Sequence, residues 1–155
     1  MDILKYLNEN LIIADGAFGT YYSAKYNTDE IPENANIDYP ERVIEIHKEY
    51  IEAGATLLRT NSFAAYDEYT GSGQAVEIVR KSVELAKAAV SQTTEKKILI
   101  AGDIGPAPFD MAGKNHELYS KMADVLLKEG ADILIFETFP DMDEISQAVK
   151  LIKKN

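Results

Sequence analysis

The sequence contains no cysteine and only two histidines, His47 and His116. The first absence excludes a disulfide framework, a thiolate nucleophile and any cysteine-ligated zinc within the chain, and the second excludes a histidine-rich metal site. A basic cluster is missing too: the lysines are scattered and the formal net charge is −10. Phosphate backbones and anionic membrane surfaces would be repelled, so neither nucleic acid nor membrane is an expected partner. No apolar run is long enough to span a bilayer. The opening MDILKYLNEN has neither the basic flank nor the apolar stretch of a signal peptide, so a cytoplasmic location is expected.

What is present suits one soluble domain over residues 1–155, with 46% hydrophobic and 27% charged residues. Apolar runs at 11–15, 56–60, 98–103 and 132–137 show no clean alternation, as expected of strands covered on both faces in a parallel sheet. Between and after them, amphipathic patterns predict helices at 40–53, 74–91, 116–129 and 143–153, and a short leading helix is expected at 2–8. Asp38, with Pro40 and Glu41 after it, reads as a helix cap, and Asp141 with Glu144 repeats the spacing. Gly54 and Gly130 stand where left-handed C-caps belong, in the matching exits GATLL and GADIL. The order β-α, four times over, predicts an α/β fold. It is either an open doubly wound sheet or (βα)4, half of a (β/α)8 TIM barrel with parallel strands and flanking helices.

In either architecture ligands bind where the strands end. The four expected strands end in Asp15-Gly16, Thr60-Asn61, Asp103 and Glu137-Thr138. Each polar group alone reads as a loop cap, but all four at one sheet edge point to a site. No lysine ends a strand, which counts against a Schiff-base aldolase. Gly16 and Gly19 are spaced G-x-x-G, without the dinucleotide fingerprint, and no G-K-[ST] follows. What remains is a loop whose backbone N–H groups can approach a ligand closely. Those groups suit a carboxylate, while Asp15 and Glu137 suit an ammonium. Together they outline a pocket for a zwitterionic amino acid.

Other residues read as structural. His47, on a stripe with Val43, Ile46 and Tyr50, is expected to be a hydrogen-bonded histidine at the edge of the core. His116 is expected to be solvated, and Arg59 to pair with an acid. Tyr21, Tyr22 and Tyr26 either line a lid or pack the long loop after the first strand. The acidic run 29–33 reads as a solvated loop.

The motifs DGAFGT (15–20), PERVIEIHKEYIEAGA (40–55), TNSF (60–63), AGDIGP (101–106) and FET (136–138) occur in the order of a known family. In this series the chain resembles the homocysteine S-methyltransferases, a group that includes the homocysteine-binding module of methionine synthase and betaine–homocysteine methyltransferase. The resemblance implies a (β/α)8 barrel, of which this chain would hold strands one to four. It implies that homocysteine is the acceptor, activated by zinc on three cysteines that lower the thiol pKa. Those cysteines lie on later strands of the family, so this chain is expected to contribute no metal ligand and no catalytic residue. It implies that Asp15 and Glu137 hold the substrate ammonium, that Gly16 and Ala17 help to hold its carboxylate, and that Thr60, Asn61 and Phe63 lie near the substrate.

Asp103, at the same strand-end level, stands where many members carry serine, which leaves the methyl donor open between betaine, S-methylmethionine and methylfolate by way of cobalamin. Phe18 stands where methionine is common, a packing change. The expected partner is a C-terminal half-barrel, or a second copy of this chain closing an eight-stranded barrel through its open edges. On the first reading the isolated chain is inactive; on the second it is a non-catalytic binding module. An unrelated open sheet of flavodoxin type is a third possibility, which the order of the motifs argues against.

Overall fold

The computed structural model of the chain describes residues 3–93, 97–108 and 115–153. Among them, three parallel strands form one sheet in chain order: β1 (Leu57–Arg59), β2 (Leu99–Ile104) and β3 (Ile133–Phe136). Leu57 to Arg59 are in register with Leu99 to Ala101, and Ala101 to Ile104 with Ile133 to Phe136. Neighbouring strands that follow chain order, each joined by a helix, are the arrangement of a TIM barrel.

The expected first strand is a correction. Residues 11–15 meet the sheet through one parallel bridge, Ala14 to Leu57. The Ile13 carbonyl accepts from the amides of Thr56 and Leu57, and the Asp15 amide donates to Leu57 at 3.0 Å. The Ile13 amide donates to the Thr56 hydroxyl instead of to a backbone carbonyl, and that side chain stops the ladder from extending. The segment also has no partner strand on its far side among the described residues, and Leu11 is 84% exposed.

The long helices follow their apolar stripes. They are α1 (Ile3–Glu9), α4 (Pro40–Glu52), α6 (Ala75–Ser91), α7 (Asn115–Glu129) and α8 (Met142–Ile152); residue 2 of the expected leading helix lies outside the described residues. Gly54 and Gly130 have φ of +106° and +97°, and beyond them Ala55 and Ala131 reach back to the Tyr50 and Leu126 carbonyls. Asp141 caps α8 through the Asp143 amide. Asp38 does not cap α4: it ends a one-turn helix, α3 (Ala35–Asp38), and the cap position falls to Tyr39, which makes no side-chain bond.

Two further helices lie where loops were expected, α2 (Phe18–Tyr26) and α5 (Asp67–Thr70). In α2 Tyr22 is fully buried beside Val43 and Ile46 and Tyr26 packs against that cluster, while Tyr21 is exposed and its hydroxyl donates to Glu49. Asn27, at φ +49°, ends it.

The sheet is covered on both faces, which is why its strands do not alternate. Ile104, with Leu134 and Phe136, packs outward against Val79, Val83, Ala123 and Leu126 of α6 and α7. On the other face Leu57, Leu99 and Ala101 form an apolar layer with Ile133 and Ile135, over which α1 lays Ile3, Tyr6 and Leu7.

Candidate functional site

Side chains two residues apart on a strand share a face. Continuing the inner apolar layer toward the strand ends, Leu57 leads to Arg59, Ala101 to Asp103 and Ile135 to Glu137. Apolar residues thus give way to charge at one level, and the loop with Asp15 closes against it. Arg59 is the hub. Its Nε donates to Asp15 Oδ1 at 2.9 Å, and its backbone amide donates to Oδ2 of the same carboxylate at 2.9 Å. One terminal nitrogen donates to both Glu137 oxygens at 2.8 and 3.0 Å, and the other to the Gly16 carbonyl at 2.8 Å.

Above this cluster opens a cavity of about 710 Å³. All eight residues singled out from the sequence line it: Asp15, Gly16, Ala17, Thr60, Asn61, Phe63, Asp103 and Glu137. Their side chains have different duties. The Thr60 hydroxyl accepts from the Asp103 amide and pairs with Ser62, whose hydroxyl donates to the Asp103 carbonyl. Asn61 donates to the Pro32 carbonyl and to Asn36 Oδ1. Thr60 and the amide nitrogen of Asn61 therefore hold the loop in shape. Phe63 lies against Gly105, where a Cβ would come within 2.4 Å of its ring. At Gly16 a Cβ would stand 2.9 Å from the Tyr50 ring, so only glycine lets this loop lie so close.

Gly16 and Ala17 lead into α2, whose first residues, Phe18, Gly19 and Thr20, also line the cavity. Ala17, at the cap position, has no side-chain cap bond. The first amides of a helix have no partner within the helix and carry partial positive charge. They present an anion-binding end to the cavity.

Among the described residues Asp103 has no counter-ion of its own. It is 4% exposed, and its Oδ1 has no hydrogen-bond partner. Burial first, and the neighbouring Glu137 charge second, raise its pKa well above the carboxylate range, while Arg59 pulls the other way. Burial also raises Asp15, opposed by its two bonds from Arg59. For Arg59 burial works against the charge, but Asp15, Glu137 and Asp103 together more than restore it and the pKa is raised.

Sequence reasoning missed three features. Arg59 was expected to pair with one acid, and it pairs with two, filling the space between Asp15 and Glu137. Glu33, assigned to a solvated acidic run, is 5% exposed and lines the cavity. Its Oε1 accepts from the Ala64 amide at 2.8 Å, and its spacing before the buried Asn36 on the PENANID stretch was the one available signal. Burial raises its pKa against that bond. Thr138 lines the cavity at φ +60°, a costly conformation for a β-branched residue and one that clusters at functional sites. Two residues set aside also differ from expectation. His47 is buried beside the Phe18 ring with neither ring nitrogen bonded, because α4 turns it wholly into the apolar layer below α2. His116 is half-buried rather than solvated.

The residues present do not fit the zinc site that the resemblance implies. Cysteine is absent from the sequence. Among the described residues no group of three or more His, Asp or Glu side chains is placed to hold a metal ion.

The chain is similar to known proteins in sequence and in fold. Betaine–homocysteine S-methyltransferase 1 of Danio rerio is 27% identical over 97% of the chain, and homocysteine S-methyltransferase 1 of Arabidopsis thaliana is 29% identical over 92%. The chain spans 40% and 54% of their respective lengths. Among solved structures, the homocysteine methyltransferase MmuM from Escherichia coli in its apo form superposes with a TM-score of 0.74 at 29% identity. The match covers 97% of this chain and 59% of that one. The family model for homocysteine S-methyltransferase matches residues 12–155, nearly the whole sequence, and the chain belongs to that family.

Proposed function

We propose that this chain is the part of a homocysteine S-methyltransferase that reads the amino-acid end of homocysteine. One observation carries the reading: two carboxylates, Asp15 and Glu137, share a single guanidinium, with the unpaired Asp103 carboxyl beside them, at the floor of a cavity whose wall is an uncapped helix N-terminus. The carboxylates outnumber the guanidinium, so the floor retains negative charge and favours a cation. The α2 amides favour an anion. A zwitterion satisfies both at once, with its ammonium against Glu137 and Asp103 and its carboxylate against Gly16, Ala17 and the first turn of α2. Asp15, with both oxygens held by Arg59, positions that guanidinium and the loop.

The side chain of homocysteine would extend along Phe63 and Pro106. Zinc, when bound by a family member, lowers the pKa of the substrate thiol; this chain has no cysteine for it, and its own part is to bind and orient. With this reading go a cytoplasmic location and a zinc-bearing C-terminal half-barrel as partner. The isolated chain supplied with zinc, homocysteine and methyl donor is then expected to form no methionine above background.

A second reading is favoured by the sheet edges. Among the described residues β3 pairs only with β2, its residues are half-buried, and Leu11 and Ile13 are exposed at the opposite edge. Two copies could close on each other as a binding module, and a solution mass of twice the chain would support it.

Calorimetric titration of the metal-free chain with L-homocysteine tests the first reading. Saturable binding, weakened about tenfold or more by Glu137→Gln, is expected. A folded chain that shows no binding, or binding indifferent to Glu137→Gln, would overturn it.

A further inference from the structure

The cavity floor contains a carboxyl group that the paired charges do not use. Asp103 is buried, its Oδ1 is unpartnered, and it faces the cavity from the end of β2. The charged and titratable groups around it come from every neighbouring element: Arg59 from β1, Glu137 from the end of β3, Asp15 from the loop before α2, and Tyr66 from the segment after β1. Arg59 is already divided between Asp15 and Glu137. Among the described residues no second positive group stands beside it, and a buried carboxylate without one is costly. The cheaper state of the empty site places a proton on Asp103, shared with Glu137.

We infer that Asp103 exchanges this proton for the ligand's ammonium, so that the chain takes up an amino acid and releases one proton. This rests on the reading of the cavity as an amino-acid site. The step balances: the neutral carboxyl loses its proton to buffer, and the ammonium, carrying its own three protons throughout, becomes the counter-ion of the resulting carboxylate. No covalent bond to the ligand forms or breaks. Asp103 thereby acts as a specificity-determining residue. A ligand without a cation cannot displace the proton, and affinity becomes pH-dependent with a slope fixed by one proton. Below the pH at which the free carboxyl ionises, affinity for an ammonium ligand rises about tenfold per pH unit.

The probe is L-methionine, which has the ammonium and carboxylate but no thiol to ionise. Calorimetry at pH 7 in phosphate and in Tris, buffers of different ionisation enthalpy, counts the protons released per ligand bound. Close to one proton is expected for the chain as it stands. Asp103→Asn and Asp103→Ser are expected to bind with release near zero and with the tenfold-per-unit slope gone. Binding without buffer dependence, or release that survives both substitutions, would overturn the exchange and leave the amino-acid site standing. A folded chain that binds no amino acid would overturn the site itself, and the exchange with it. A carboxyl carbon-13 titration of the free chain is an independent check, since Asp103 ionising in the ordinary carboxylate range would overturn the exchange whatever the ligand does.

Discussion

Arg59 grips the carboxylate of Asp15 twice, through Nε and through its own backbone amide, each at 2.9 Å. The Asp15 side chain is 1% exposed. This pair ties the loop entering α2 to the end of β1, and it fixes the guanidinium that Glu137 also uses. Arg59 keeps Glu137 when the Asp15 charge is removed, so the loss is that of the charge-assisted bonds, and Asp15→Asn is expected to lower stability by about 1.5–3 kcal/mol. Glu137 is half-buried and more open to solvent, and Glu137→Gln is expected to cost about 1 kcal/mol or less. Urea denaturation of the two variants compares them directly. Equal costs would mean that Asp15 is not the structural member of the pair.

Gly105 gives the cavity its aromatic wall. An alanine there would place its Cβ 2.4 Å from the Phe63 ring. The ring would have to move, and Gly105→Ala is expected to destabilise by about 1–3 kcal/mol. Phe63→Leu in the same chain is expected to recover part of that loss, which a double-mutant cycle measures. Purely additive costs would place the strain elsewhere.

His47 predicts how stability responds to acid. Burial lowers its pKa to about 4, against an ordinary value of 6.5. Between those values the unfolded chain binds a proton that the folded chain does not, so stability falls as pH falls through that window. The loss approaches about 3 kcal/mol at the lower end. Asp103 acts in the opposite sense: its carboxyl is pushed up to about 8, so the folded chain binds the extra proton and gains stability as pH falls. The two are separated by comparing the chain with His47→Leu, which retains Asp103. The difference in unfolding free energy between them is expected to grow in favour of the variant from pH 6.5 to 4. A constant difference would mean that His47 is not neutral and buried.

Much of this was legible in the sequence because periodicity and end signals agreed. The apolar stripes of α4, α6, α7 and α8, with Gly54 and Gly130 after two of them, place the helices to within about two residues. Polar residues ending apolar runs identified the cavity floor, since strand direction alone brings such positions together. The rest depends on neighbours. Residues 11–15 read as a strand, but ladder length depends on what lies alongside, and Thr56 ends the pairing with a side chain. α2 has no apolar stripe to read, since Tyr22 alone is fully buried among its tyrosines. Arg59 shows the clearest limit: a charged residue in an apolar run announces a partner, but only the register of β1 against β2 and β3 shows that it has two.

The most direct measurement concerns charge recognition. L-Homocysteine and 4-sulfanylbutanoate share a carboxylate and a thiol and differ in the ammonium group. Calorimetric titration of the metal-free chain with each isolates the contribution of the floor formed by Asp103 and Glu137. Saturable binding of L-homocysteine, with the ammonium-free analogue at least tenfold weaker, is the predicted result. Equal affinities, or a folded chain that binds neither, would contradict the assignment of this cavity to an amino acid.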